Sequence, residues 1–212
     1  MARWLTDTFQ LQLNQREVDF VIPRLDADIP LCIDPFLLYK SRRAELRAAH
    51  ALLLTLFNEA FAAFRNGDHE RAARLIDFPE VPEIRFGYAR QSVAGRGIGA
   101  VLAQLVMDTL RQSPALVERG IRHVEELQLF SSGIAEDRIS DLAANAIKGY
   151  LVTYTQAQCE TWSIPAQDAV PLEHIWDADS SRWVRRYVRV PVDPETGVAV
   201  LSPDGSLDDY RG

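Results

Sequence analysis

The sequence predicts an α+β fold in which long amphipathic helices pack on a small mixed or antiparallel sheet. Three observations predict it. Apolar residues recur at three- and four-residue steps over 41–65 and again over 137–162, the spacing of helices with one buried face. Residues 8–22 alternate, with Phe9, Leu11 and Leu13 on one face and Val18, Phe20 and Ile22 following a polar break, as strands do. Near the C-terminus, RWVRRYVRVPVDPETGVAVLSP reads as two strands joined by the turn DPETG, because Pro194 pre-sets a turn and Gly197 accepts a positive φ.

The elements follow in order. After the expected N-terminal strand pair, Pro23, Pro30 and Pro35 break a connector that is expected to stay non-helical while packing Leu31, Ile33, Phe36 and Leu37. Ser41 is the expected N-cap of a helix through Arg65 that carries Leu46, His50, Leu53, Phe57, Phe61 and Phe64, and Gly67 ends it. A short helix over 68–76, a strand over 83–88 and a helix over 99–112 bounded by Pro114 come next. The stretch 121–130 fits neither period cleanly and is read as strand. A long helix over 137–162 buries Ile139, Leu142, Ile147, Leu151 and Tyr154. One domain over 1–203 is expected, with 204–212 a frayed polar tail.

Composition narrows the function classes. With 47% hydrophobic and 25% charged residues in 212, the chain is an ordinary folding sequence. Its net charge of −7 gives no support to a broad nucleic-acid or anionic-lipid surface, although a local basic patch stays open. Cys32 and Cys159 lack any Cys or His at metal-ligand spacing and are read as buried thiols. No signal peptide begins the sequence, and no apolar run approaches the roughly 18 residues of a membrane span, so a cytoplasmic location is expected.

Two constellations carry chemistry. Asp137, Asp141, Asn145 and Lys148 fall on one side of the 137–162 helix. Two carboxylates one turn apart, an amide oxygen and Glu125 or Glu126 from upstream suit a hard divalent cation such as Mg²⁺ or Mn²⁺, with Lys148 facing phosphate or a leaving oxygen. The competing reading is an acidic first turn that complements the helix dipole, backed by a solvated polar face. The second constellation is the loop Gly95, Arg96, Gly97 and Gly99 before a helix, a place where backbone N–H groups favour an anion. Its spacing matches neither the dinucleotide fingerprint nor a Walker loop, and a tight turn without ligand explains it equally. His50, on an apolar helix face, is read as a satisfied core histidine, and the pair His123-x-Glu125 is a weak signal.

The loop GRGIG with its helix, followed by ERGIRHVEELQLF and NAIKGYLVTY, resembles the coenzyme A pyrophosphate loop and next elements of GCN5-related N-acetyltransferases. That resemblance implies pyrophosphate on the amides around Gly95, Gly97 and Gly99, although the family's Arg or Gln three residues before Gly97 falls on Ala94. Over most of the chain, DFVIPRLDADIPLCIDPFLLYKS, EELQLFSSGIAEDRISDLAANAIKGYLVTYTQAQC and VPVDPETG resemble uncharacterised bacterial proteins loosely associated with mobile or defence genes. This implies a defence-associated domain acting on nucleic acid or nucleotides. No Glu-x-Lys occurs, which disfavours a PD-(D/E)xK nuclease. The alternative is a non-catalytic module that meets a protein partner, or a second copy of itself, through apolar helix surface.

Overall fold

The computed structural model describes residues 2–86, 98–127 and 136–204, with the backbone alone at 98–102 and 136–138. The architecture is α+β. In chain order the described elements are α1 (Leu5–Thr8), α2 (Pro35–Lys40), α3 (Ala44–Arg65), α4 (His69–Leu75), α5 (Ile98–Gln112), α6 (Pro114–Arg119), α7 (Glu136–Ala146), α8 (Lys148–Trp162), β1 (Gln167–Asp177) and β2 (Arg182–Val190). β1 and β2 form a two-stranded antiparallel sheet.

The central helix is α3. Leu53, Leu56, Phe57, Ala60 and Phe61 are buried along it, in a core shared with α4 to α8 and one face of the sheet. Full burial of each large side chain there contributes about 1.5–3 kcal/mol. A smaller core joins Leu5, Phe20 and Leu25 to Tyr154, Cys159 and Ile164, tying the N-terminal segment to the end of α8.

Several local expectations are corrected. Residues 8–22 form no strand pair, because side chains take the backbone groups a partner strand would use. Gln15 accepts from the Ile22 N–H at 2.9 Å and donates to the Phe20 carbonyl at 2.6 Å, while Asn14 and Glu17 close a turn between them. The proline connector does contain a helix. Pro35 sits at its first position, where no N–H is needed, and the Asp34 carboxylate accepts from the Phe36 N–H at 2.8 Å. Ser41 follows α2, and α3 begins only at Ala44.

Glu83–Phe86 is a turn with one bridge, Ile29 to Phe86, and Arg85 at φ 58°. Residues 87 and 88 lie outside the described residues. The expected strand over 121–130 is a turn in its described part: the Glu126 carboxylate accepts from the N–H groups of Arg122 (2.8 Å) and His123 (3.0 Å). The 137–162 helix is two helices that meet at Ile147 (φ −96°, ψ 7°). The sheet hairpin turns at 178–181; DPETG instead forms a smaller loop closed by the bridge Val192–Ala199. Asp204, expected to begin a frayed tail, is buried against Arg43 and Tyr150.

One glycine positions the site. Gly120 ends α6 at φ 72°, and a Cβ there would stand 2.8 Å from Asn58 Oδ1 of α3. The missing side chain lets the 121–127 turn lie against α3.

Candidate functional site

The residues expected to carry chemistry divide into two places. Asp137 lies in the first turn of α7, but its side chain is outside the description, and Gly95, Arg96 and Gly97 lie outside the described residues altogether. Gly99 falls in the first turn of α5. Asp141, Asn145 and Lys148 do follow one another near the α7–α8 junction. Asn145 is fully buried and donates to the carbonyls of Pro79 (2.7 Å) and Asp141 (2.9 Å). Lys148, also buried, pairs with Glu83 at 2.8 Å and donates to the Glu173 carbonyl at 3.1 Å. The ammonium thus ties the 79–86 segment and β1 to the start of α8, and at Asn145 and Lys148 the stripe is no solvated face.

Among the described residues no group of three or more His, Cys, Asp or Glu side chains is placed to hold a metal ion. Glu125 lies in the 121–127 segment, two residues from His123, and makes no hydrogen bond to Asn145 or Lys148 among the described residues. Neither cysteine forms a disulfide; Cys32 is half-buried, and burial raises the Cys159 thiol to about 11.

The second cluster is built by α2, α3 and the 121–127 turn. α2 presents Phe36 and Tyr39, which remain 39% and 48% exposed, so Phe36 packs only in part. Tyr39 packs on His50 of α3 and on His123 of the turn, with centroids 5.4 and 4.6 Å away, and the two imidazoles are 5.9 Å apart. Phe36 meets both Tyr39 and His123, and the Lys40 ammonium lies 4.3 Å from the Phe36 ring centre.

Buried polar atoms on α3 and the 121–127 segment lack partners. His50 Nε2, His123 Nδ1 and both carboxyl oxygens of Glu125 are enclosed without a hydrogen bond among the described residues. Each such group costs about 1–3 kcal/mol when it is left unmade. Burial lowers the His50 pKa, and the His123 charge lowers it further. Burial raises the pKa of Glu125; Asp34 and Glu126 add to the rise, while its own backbone N–H and His123 oppose it. His50 is therefore buried as expected but not satisfied, which corrects its reading as an ordinary core histidine.

Sequence reasoning did not bring these residues together. The signals present were His123-x-Glu125 and two aromatics three residues apart in FLLY, but the fold was needed to place His50 beside them. Two imidazoles with a ring nitrogen unmade on each, beside exposed aromatic rings, can accept from or donate to a polar, flat ligand.

No curated protein matches the chain, and no solved structure matches it. A family model described as a domain of unknown function (DUF8370) matches residues 10–211. The chain belongs to that family.

Proposed function

We propose that the protein binds a ligand carrying a nucleobase and a phosphate, a nucleotide or a stretch of single strand, on the ledge formed by Phe36 and Tyr39. The observation that carries this reading is the pair of half-exposed aromatic rings lying over buried, unpartnered polar groups. An aromatic face stacks on a base whatever its sequence, at about 1–3 kcal/mol per base. The α2–α3 turn supplies the charge a phosphate needs, since Lys40, Arg42 and Arg47 are exposed there and Arg47 donates to the Ser41 carbonyl. This local patch is compatible with a net charge of −7. The resemblance to proteins associated with mobile or defence genes agrees with such a ligand.

The test is equilibrium binding of mononucleotides and short single-stranded oligonucleotides to the wild type and to Phe36→Ala/Tyr39→Ala. Loss of stacking weakens binding by about tenfold or more on the stated scale. Unchanged affinity in the variant would overturn the reading. Turnover of the ligand requires the divalent ion expected on Asp137 and Asp141. A Mn²⁺-dependent rise in melting temperature that Asp137→Asn/Asp141→Asn loses would add hydrolysis, since an ion that binds only the native state stabilises it. Identical curves would leave a binding module.

A further inference from the structure

We propose that the outer edge of β2 is a docking site for an extended acidic segment of a partner protein, which adds to the hairpin as a third strand. The sheet has two strands, so each strand has a second edge. Among the described residues neither β1 nor β2 makes a backbone-to-backbone hydrogen bond beyond its pairing with the other. An open edge is a row of N–H and C=O groups with which another extended chain can pair. The two edges differ in how they are guarded.

The β1 edge is blocked by its backbone. Both register shifts put the extra residue on β1, where Ala169 and His174 take φ of 56° and 58°. Such bulges re-aim the strand and interrupt a ladder. Pro171 has no N–H to offer, and the Glu173 carbonyl already accepts from the Lys148 ammonium. β2 runs from Arg182 to Val190 without a proline or a positive φ. Its guard is charge, in Arg182, Arg185, Arg186 and Arg189 with no acid between them. These arginines oppose pairing with β2 of a second copy and favour a strand that carries carboxylates.

Alternation sets the pattern of that strand. Val184, Val188 and Val190 pack on the core, so Arg185, Tyr187 and Arg189 face the other way. Tyr187, between the two arginines, is 65% exposed, more than either ring of the α2 ledge. Arg185 pairs with Glu173 of β1, and Arg189 with Asp168 at 3.4 Å; both carboxylates are themselves exposed. Exposed pairs of this kind contribute about 0–1 kcal/mol, so an incoming carboxylate displaces them at little cost. Main-chain bonds along the edge supply the affinity, and the charges select the partner. Side chains opposed on neighbouring strands stand about 4.5–5.5 Å apart between Cβ atoms. Acidic residues at alternate positions of the added strand therefore meet Arg185 and Arg189, and apolar residues between them lie beside Val184 and Val188.

The experiment titrates the full chain with short fluorescent peptides, followed by anisotropy, and reads amide exchange over β2 by mass spectrometry. The probes are an alternating Glu–Val peptide, an alternating Lys–Val peptide and an alternating Glu–Pro peptide, the last unable to donate at every second position. The expected result is that the Glu–Val peptide binds, that the other two bind at least about tenfold more weakly, and that the amides of 182–190 gain protection. Arg185→Glu/Arg189→Glu sets like charges side by side and weakens the Glu–Val peptide by at least about tenfold. Equal binding of the Glu–Val and Glu–Pro peptides means charge without an added strand and overturns the proposal, as does no binding at millimolar peptide. A mass that doubles with concentration while 182–190 become protected gives the edge to a second copy and overturns it too. If a single-stranded oligonucleotide protects 182–190 and the acidic peptide does not bind, the arginines serve nucleic acid and the proposal is wrong. The peptide comparison on the wild type needs no variant to fold.

Discussion

Lys148–Glu83 and His50–His123 are both clusters of enclosed polar groups, yet their charges are resolved differently. Glu83 shares one oxygen with the Lys148 ammonium, which also reaches the Glu173 carbonyl, and Asn145 beside it holds the Pro79 carbonyl, while Glu83 Oε2 and Asn145 Oδ1 stay unmade among the described residues. His50 and His123 leave a ring nitrogen each unmade, and no charged partner lies among their ring contacts in the described residues. The first cluster joins three segments of chain. The second is open in hydrogen bonding and covered by aromatic rings that remain half exposed. A paired charge holds architecture; unmade groups lower stability, and where they lie beside half-exposed rings we place the ligand.

Breaking the first cluster has the largest expected effect. Lys148→Met strands the Glu83 carboxylate and lowers unfolding free energy by about 3–5 kcal/mol, whereas adding Glu83→Leu recovers much of the loss. Urea denaturation of the two variants checks both statements. Next is Gly120→Ala, which forces a Cβ to a positive φ and against Asn58; it costs about 1–2 kcal/mol. Because Gly120 seats the 121–127 turn, this variant also weakens ligand binding while Lys148→Met/Glu83→Leu leaves affinity within about twofold, as distant sites act independently.

The pH dependence sharpens the contrast. The folded pKa of His50 lies below its ordinary value of 6.5, so the unfolded chain takes up this proton first. The stability contributed by neutral His50 is complete above about pH 6.5 and is lost as pH falls through the folded pKa. Urea midpoints of the wild type and His50→Phe between pH 7.5 and 5 test this: the wild type loses the larger share. Glu125 has the opposite sign. Its folded pKa lies above 4.5, so its contribution is whole below 4.5 and is lost as pH rises through the raised value. Glu125→Gln is expected to gain on the wild type as pH rises from 4.5 to neutrality. The smallest expected effect on stability is that of Phe36→Ala/Tyr39→Ala, within about 0.5 kcal/mol per exposed position, although these substitutions remove the ledge.

The α+β class was legible because α3 and α8 carry long buried stripes, and Gly67 and Pro114 mark helix ends plainly. The N-terminal segment was misread because alternation of apolar residues says nothing about which groups take the backbone bonds; Gln15 takes two of them. The hairpin was displaced because DPETG is a stronger turn signal than the turn that actually joins β1 and β2. In that sheet, Ala169 and His174 take positive φ beside two register shifts, which no residue pattern announced. Asn145 and Lys148 stand out in the sequence as an amide and a lysine on one helix side, but helical spacing cannot reveal that Pro79 and Glu83 from another segment bond to them. His50 and His123 come together only through packing of the 121–127 turn on α3, information that sequence spacing does not hold.

The most direct test of the account follows the imidazole nitrogens by NMR as a mononucleotide is added to the labelled wild-type chain. The account predicts that the resonances of His50 and His123 shift together and saturate while those of His69 and His174 stay in place. Unchanged His50 and His123 signals at saturating nucleotide, or a response confined to His174 beside Trp183, would contradict it.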